Sequence, residues 1–181
     1  IQQGVSGSLD FRGIVDLVGD KLREVFRTAD LGIRWIERDK GLIHYLYEYE
    51  DNVRLDVPPQ PFERSTTLTL IAKTRQPLVM RNVAEQLALG VQLVPGSRQA
   101  LSGLHVPMIA GDTLLGSLAM ENYEQEDAFS ESDVRLLQTI AASLGVALES
   151  ARLFDETQRL LKETEQRNAE LAVINSIQQG I

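Results

Sequence analysis

Ser102-Gly103-Leu104-His105-Val106-Pro107-Met108-Ile109, Ala110-Gly111-Asp112-Thr113 and Leu114-Leu115-Gly116-Ser117-Leu118-Ala119-Met120-Glu121-Asn122-Tyr123 together decide the fold. Two apolar runs flank a short segment containing Gly and Asp, so they read as strands 104–109 and 114–123 of an antiparallel hairpin. Just downstream, Ser130-Glu131-Ser132-Asp133 has the spacing of a capping box, and Phe129 can staple onto Val134. The hairpin therefore feeds a helix whose start is well specified. Along that helix Leu137, Ile140, Leu144, Ala147, Ala151 and Phe154 recur three and four apart, with Gly145 the one breaker before Gly180. Carried to about Ile177 it would be about 70 Å long at 1.5 Å per residue, more than a small domain can bury.

Upstream, Asp10 stands where a cap would open a helix carrying Phe11, Ile14, Val15, Val18, Leu22, Val25 and Phe26. Residues 31–37 and 42–50, rich in Ile, Trp, Tyr and Leu, read as two strands joined by Arg38-Asp39-Lys40-Gly41. Pro58, Pro59 and Pro61 exclude regular structure in the next stretch. Ser65 or Thr66 then caps a short helix ending near Thr74 to Pro77, followed by a brief strand at 78–80 and a short helix at 82–89. Residues 90–100, with Pro95-Gly96-Ser97, read as a loop lying over the domain. The pass along the chain yields about five strands with a long irregular insertion in their middle.

Beyond Phe154 the spacing slips by one and resumes as Thr157, Leu160, Thr164, Arg167, Leu171 and Ile174, a diluted heptad seam. Thr and Arg in the seam make a weak coil, suited to a signalling linker in a parallel homodimer or to a plain solvated helix. Ile1-Gln2-Gln3-Gly4-Val5 recurs as Ile177-Gln178-Gln179-Gly180-Ile181, as expected of one unit of a tandem array. The division is then 1–9, the end of a preceding linker; 10–154, the domain; and 155–181, a helical linker toward the next repeat.

Composition narrows the function. With 26 acidic against 18 basic residues and a net charge of −8, the surface repels phosphate backbones and anionic lipid, which argues against nucleic acid and membrane as partners. No cysteine is present, which excludes disulfides, thiolate nucleophiles, Cys-ligated zinc and thioether-linked chromophores. No apolar run approaches the ~20 residues that span a bilayer, and a cytoplasmic location is expected.

Strand alternation at 42–50 places Ile43, Tyr45, Tyr47 and Tyr49 on one face and Leu42, His44, Leu46, Glu48 and Glu50 on the other. The tyrosines either wall a cavity for a planar ligand or form an ordinary packed stripe. Arg34 and Trp35 fall on opposite faces of the first strand, so one of them faces the ligand side. Ser65 and Thr66 at a helix start, with Arg98 on the overlying loop, can cradle a phosphate or carboxylate. His105 is a ligand contact, a haem ligand or a hydrogen-bonded core histidine. His44 with Glu48 falls short of a metal shell, so no metal or cofactor is assigned. No catalytic spacing is found, and the chain is read as not an enzyme.

Several strings resemble the GAF family. Ser102 to Met108 resembles its serine-to-Val-Pro strand, Leu114 to Asn122 its Gly-containing strand ending in Asn, and Phe129 to Leu137 with Ala147 to Phe154 its exit helix. The resemblance covers residues 10–154. It implies an α+β (α/β) fold: a GAF/PAS-like antiparallel sheet of about six strands, terminal helices on one face, a ligand cavity on the other, and a long C-terminal linker helix. It further implies a small-molecule sensor in a signalling protein, covalently linked to an output domain of kinase or cyclase type. The Asn-Lys-Phe-Asp-Glu signature of the cyclic-nucleotide-binding members has no counterpart here, and the cysteines of the methionine-sulfoxide-reducing and chromophore-attaching members are missing. Two readings stand at this point: a sensor with an occupied cavity, for which a partly planar, anionic metabolite is expected, and a dimerising spacer whose cavity is filled by its own side chains.

Overall fold

A computed structural model describes residues 9–26 and 30–180. The first copy of the repeated pentapeptide and the last residue of the second lie outside that range. Helix α1 (Leu9–Phe26) is described from Leu9, which puts Asp10 inside its first turn instead of in front of it. Its buried stripe is Phe11, Val15 and Leu22, while Val25, expected on the same stripe, is exposed. Strands β1 (Leu31–Glu37) and β2 (Leu42–Glu50) pair antiparallel, turned by one 3-10 turn and by Gly41 in the left-handed region.

The polypeptide then makes two strands that residue composition did not signal. Asp51 and Asn52 both adopt positive φ, a conformation these short polar residues tolerate, and the resulting turn sends β3 (Val53–Arg54) back along β2. Further on, β4 (Gln60–Pro61) pairs with the start of β2, placing Pro61 at an edge where its missing N–H costs no ladder bond. Helix α2 (Thr66–Thr74) is capped by Ser65, whose Oγ accepts from Leu68 N–H. After β5 (Leu78–Met80) and α3 (Val83–Ala88), a loop leads into the hairpin β6 (Ser102–Ala110) and β7 (Thr113–Asn122).

All strands join one antiparallel sheet in the order β3-β2-β1-β7-β6-β5, with β4 added beside β2. Helix α4 (Glu131–Gln179) begins in the expected capping box, with Ser130 Oγ accepting from Asp133 N–H and the Asp133 carboxylate accepting from Ser130 N–H. Its 49 residues span about 74 Å. Leu137, Ala141, Leu144 and Leu148 bury against the sheet, chiefly β6, together with α1. Ile140 and Ala151 are half-buried and pack against the core, Ala147 is half-buried and Phe154 is exposed, so the expected stripe thins toward its end. Leu31, Ile33, Trp35, Leu104, Val106, Met108, Leu118 and Met120 form the helix-side core with Phe11, Val15 and Leu22. On the opposite face lies α2, burying Leu68 and Ile71 against β5, β6 and β7.

At the centre of the sheet, Gly116 lets two backbones approach: a Cβ there would stand 1.9 Å from the Arg34 carbonyl oxygen. Gly116→Ala should therefore destabilise the fold by at least about 3 kcal/mol, the upper range for overpacking. Gly13, exposed in α1 with nothing within 4 Å of a Cβ, should gain up to about 1 kcal/mol as Ala. Urea unfolding of both variants checks the pair.

Candidate functional site

Beneath the loop from Val91 to Arg98, a cavity of about 80 Å³ opens on the sheet face opposite α1 and α4. Arg34 of β1, Tyr45 of β2, Gly103 and His105 of β6 and Glu121 of β7 form its floor, and Ser65 and Thr67 at the start of α2 form a wall. The roof is tied down by Thr66 Oγ1, which donates to the Gly90 carbonyl at 2.8 Å, and by Gln86 Nε2, which donates to Ala100 O at 3.0 Å.

Arg34 is 3% exposed, and a buried guanidinium needs partners. Glu48 supplies the main one, at 2.8 Å from Nη2 and 3.5 Å from Nε, with Glu121 3.7 Å from Nη2. Burial alone would lower the pKa of Arg34, but these carboxylates outweigh it and hold the charge firmly on. Glu48 is pushed upward by burial, against the pull of Arg34. Gly32 makes this pair possible, since a Cβ there would sit 2.6 Å from a Glu48 carboxylate oxygen.

A second charged group closes the roof. Arg98 donates to Glu50 at 2.8 Å and also bonds Asp51. The Tyr123 hydroxyl stands 2.7 Å from Glu121 and 3.2 Å from Glu50, and burial followed by those two carboxylates holds its proton on. His105 is 2% exposed, and its Nδ1 has no hydrogen-bond partner. Burial and then the nearby charge of Arg34 keep the imidazole neutral, its pKa well below the ordinary 6.5.

Of the residues singled out from sequence, Arg34, Tyr45, Ser65, Arg98 and His105 line this cavity, while Thr66 borders it through the roof contact. Trp35 and Tyr47 do not. Trp35 packs edge-on against Phe11 of α1, with ring centroids 5.3 Å apart. Tyr47 faces α1, where its hydroxyl donates to Asp20 at 2.7 Å and its ring fills the space left open by Gly19. The three tyrosines thus fail to share a face because β2 bulges at Leu46: Ile33 pairs with Tyr47 but Arg34 pairs with Tyr45. One inserted residue reverses the alternation. Ile43, Tyr45, Glu48 and Glu50 therefore look toward the cavity, and His44, Tyr47 and Tyr49 toward the helices. His44 and Glu48 are separated by the same bulge, His44 pairing with Glu37 at 2.8 Å. Among the described residues no group of three or more His, Cys, Asp or Glu is placed to hold a metal ion.

Arg98, expected to hold a ligand anion, is already held by Glu50 and Asp51. Glu121 was not expected on the cavity wall, nor Glu48, Glu50 and Tyr123 in the network behind it; the one signal, for Glu48, was Gly32, a lone glycine in a strand, which marks a close approach.

A seven-stranded antiparallel sheet with terminal helices on one face and a roofed polar cavity on the other defines a sensory-domain architecture, and the chain belongs to the GAF domain family, whose sequence model matches residues 8–149. GAF domains are sensory and regulatory domains of signalling proteins. Similar solved structures share the fold at low identity. The GAF domain of an Acinetobacter phosphoenolpyruvate-protein phosphotransferase is 16% identical, with a TM-score of 0.68 over 83% of this chain and 89% of that one. Free methionine-R-sulfoxide reductase from Neisseria meningitidis, solved with its substrate, is 20% identical, with a TM-score of 0.65 over 82% and 84%. The blue-light-absorbing form of the Thermosynechococcus elongatus PixJ GAF domain is 17% identical, with a TM-score of 0.60 over 88% and 97%. Among the described residues no helix is long and apolar enough to cross a membrane.

Neutral His105 has a consequence for stability. The unfolded chain takes up this proton near pH 6.5 while the folded chain resists it, so its contribution is complete above that pH and is lost as pH falls toward the depressed folded value. His105→Gln should flatten the decline between about pH 6.5 and 5.5, by up to about 1.4 kcal/mol per pH unit. Urea unfolding of both chains at each pH reads the difference, and comparing them at the same pH cancels the opposite trend from Glu48.

Proposed function

We propose that this domain is a ligand sensor whose cavity binds a small molecule and whose exit helix carries the response. One observation carries the reading: β6 belongs to both sides of the device. His105 looks into the cavity, while Leu104, Val106 and Met108 of the same strand pack in the core that holds α4 at Leu137 to Leu148. A ligand that shifts β6 therefore acts on the seating of α4, and cores respond to such shifts by repacking between discrete arrangements. The proposal includes a parallel homodimer through α4, a tandem arrangement of such units and an attached output domain of kinase or cyclase type, with 155–181 as the linker and no turnover by the domain itself.

A ligand-free spacer is the second reading, favoured by the small cavity, below the ~300–1,000 Å³ usual for ligand pockets, and by acids of the chain itself neutralising Arg34 and Arg98. Native mass spectrometry of freshly isolated protein, with denatured protein as control, separates the two: the sensor is expected to carry extra mass that denaturation releases. A thermal-shift screen of cyclic nucleotides, keto acids and aromatic acids accompanies it. At a hundred times its dissociation constant a ligand stabilises the fold by about 2.7 kcal/mol. No added mass and no shift would favour the spacer.

Support for the dimer is the row of exposed apolar side chains on the far part of α4, including Leu153, Phe154, Leu160, Leu161, Leu171, Ile174 and Ile177. Sedimentation of the intact chain should show a dimer, and a chain ended after Phe154 should shift toward monomer. An intact chain that stays monomeric at high concentration contradicts the coiled-coil linker.

A further inference from the structure

The sensor reading leaves the ligand's chemistry open, and the charges around the cavity narrow it. Glu121 lines the cavity with its side chain 24% exposed, and behind the lining Glu48 and Glu50 are buried against Arg34 and Tyr123. Against them stands one buried guanidinium, Arg34, since Arg98 is 55% exposed and shared with Asp51. Glu48 already occupies the Nε and Nη2 side of Arg34, and Glu121 stands 3.7 Å from the same Nη2. The Nε and Nη2 fork is therefore taken, and an anion placed here would meet acids that Arg34 and Arg98 do not fully match. A cation would relieve them.

Two unfilled hydrogen-bonding positions fit such a cation. Glu121 Oε2 accepts from Tyr123, but Oε1 stands 3.7 Å from the nearest Arg34 nitrogen, beyond hydrogen-bond length. His105 lines the cavity; its unpartnered Nδ1 is closed off from solvent, while Nε2, the nitrogen on the Gly103 side, makes no hydrogen bond among the described residues. Glu121 pairs across the sheet with Gly103, two residues from His105 on the same face, so the two side chains are diagonal neighbours. Gly103 adds no side chain between them. At the rim the sign reverses: Arg64 is exposed without an ion pair among the described residues, beside Ser65 at the start of α2.

We propose that the cavity takes a compact ligand with a primary ammonium group, seated between Glu121 and His105, and that a carboxylate on the same ligand points to Arg64, which makes amino acids the preferred members of the class. This rests on the sensor reading and replaces the anionic metabolite expected from sequence.

Three matched sets of probes test it by thermal shift and titration calorimetry on the intact chain: the natural α-amino acids, the amines left by removing their carboxyl group, and the acids left by removing their amino group. Amino acids or amines are expected to raise the melting midpoint in a saturable way while the matched acids do not. Glu121→Gln, which keeps an acceptor for Tyr123, should weaken that binding at least tenfold; the comparison of probe sets on the unaltered chain decides even if this variant folds poorly. Stabilisation by the acids alone, or a co-purified compound whose mass and fragmentation show no amino nitrogen, overturns the ligand class and leaves the sensor standing. No response to any set, together with no bound mass, overturns both.

Discussion

A guanidinium with almost no contact with water sits in the middle of the sheet, and the cavity is arranged around the need to match its charge. Removing Arg34 from solvent is tolerable only with a carboxylate in near contact. Glu48 can come that close because Gly32 has no side chain and because the β2 bulge turns Glu48 to the same face as Arg34. Glu121 and then Tyr123 follow from that arrangement, linking the pair to Glu50 and, through Arg98, to the roof loop. A polar chain of this kind rigidifies the floor while leaving its unmatched atoms facing the cavity.

The same sheet has a second face with opposite chemistry. There Trp35, Tyr47, Leu104, Val106, Met108 and Leu118 make an apolar layer under α1 and α4. Because alternate residues of β1, β6 and β7 serve the two faces, the polar floor and the apolar core cannot move independently. Gly116, pressed against the Arg34 carbonyl, makes that junction especially unyielding. Helix α4 is seated on the strand that carries His105, so the cavity and the long helix lie within one strand's thickness of each other.

Among the described residues, α4 beyond Phe154 is almost wholly exposed. The apolar Leu160, Leu161, Leu171, Ile174 and Ile177 are exposed with the rest. Most helical stability in proteins comes from packing of an apolar face and not from propensity, and this part of α4 leaves its Leu, Ile and Val side chains exposed.

Local chemistry was enough for the order of elements, the strand pair at 31–50, the hairpin at 102–122 and the start of α4, because caps, turns and hydrophobic periods act within a few residues. The capping box at Ser130 and Asp133 formed as its spacing required. Sequence also separated Arg34 from Trp35, since two adjacent strand residues must face opposite ways. What it could not supply was which way β2 faced after Leu46. A bulge is decided by the partner strand and the layers on either side, and it moved Tyr47 into the core and Glu48 to the face that carries Arg34. The pairing of Arg98 with Glu50 and Asp51, distant along the chain, likewise exists only once the roof loop has folded over the sheet. Backbone propensity is local and legible residue by residue; the balance of buried charge is a property of residues brought together from four separate segments, and only the tertiary structure decided it.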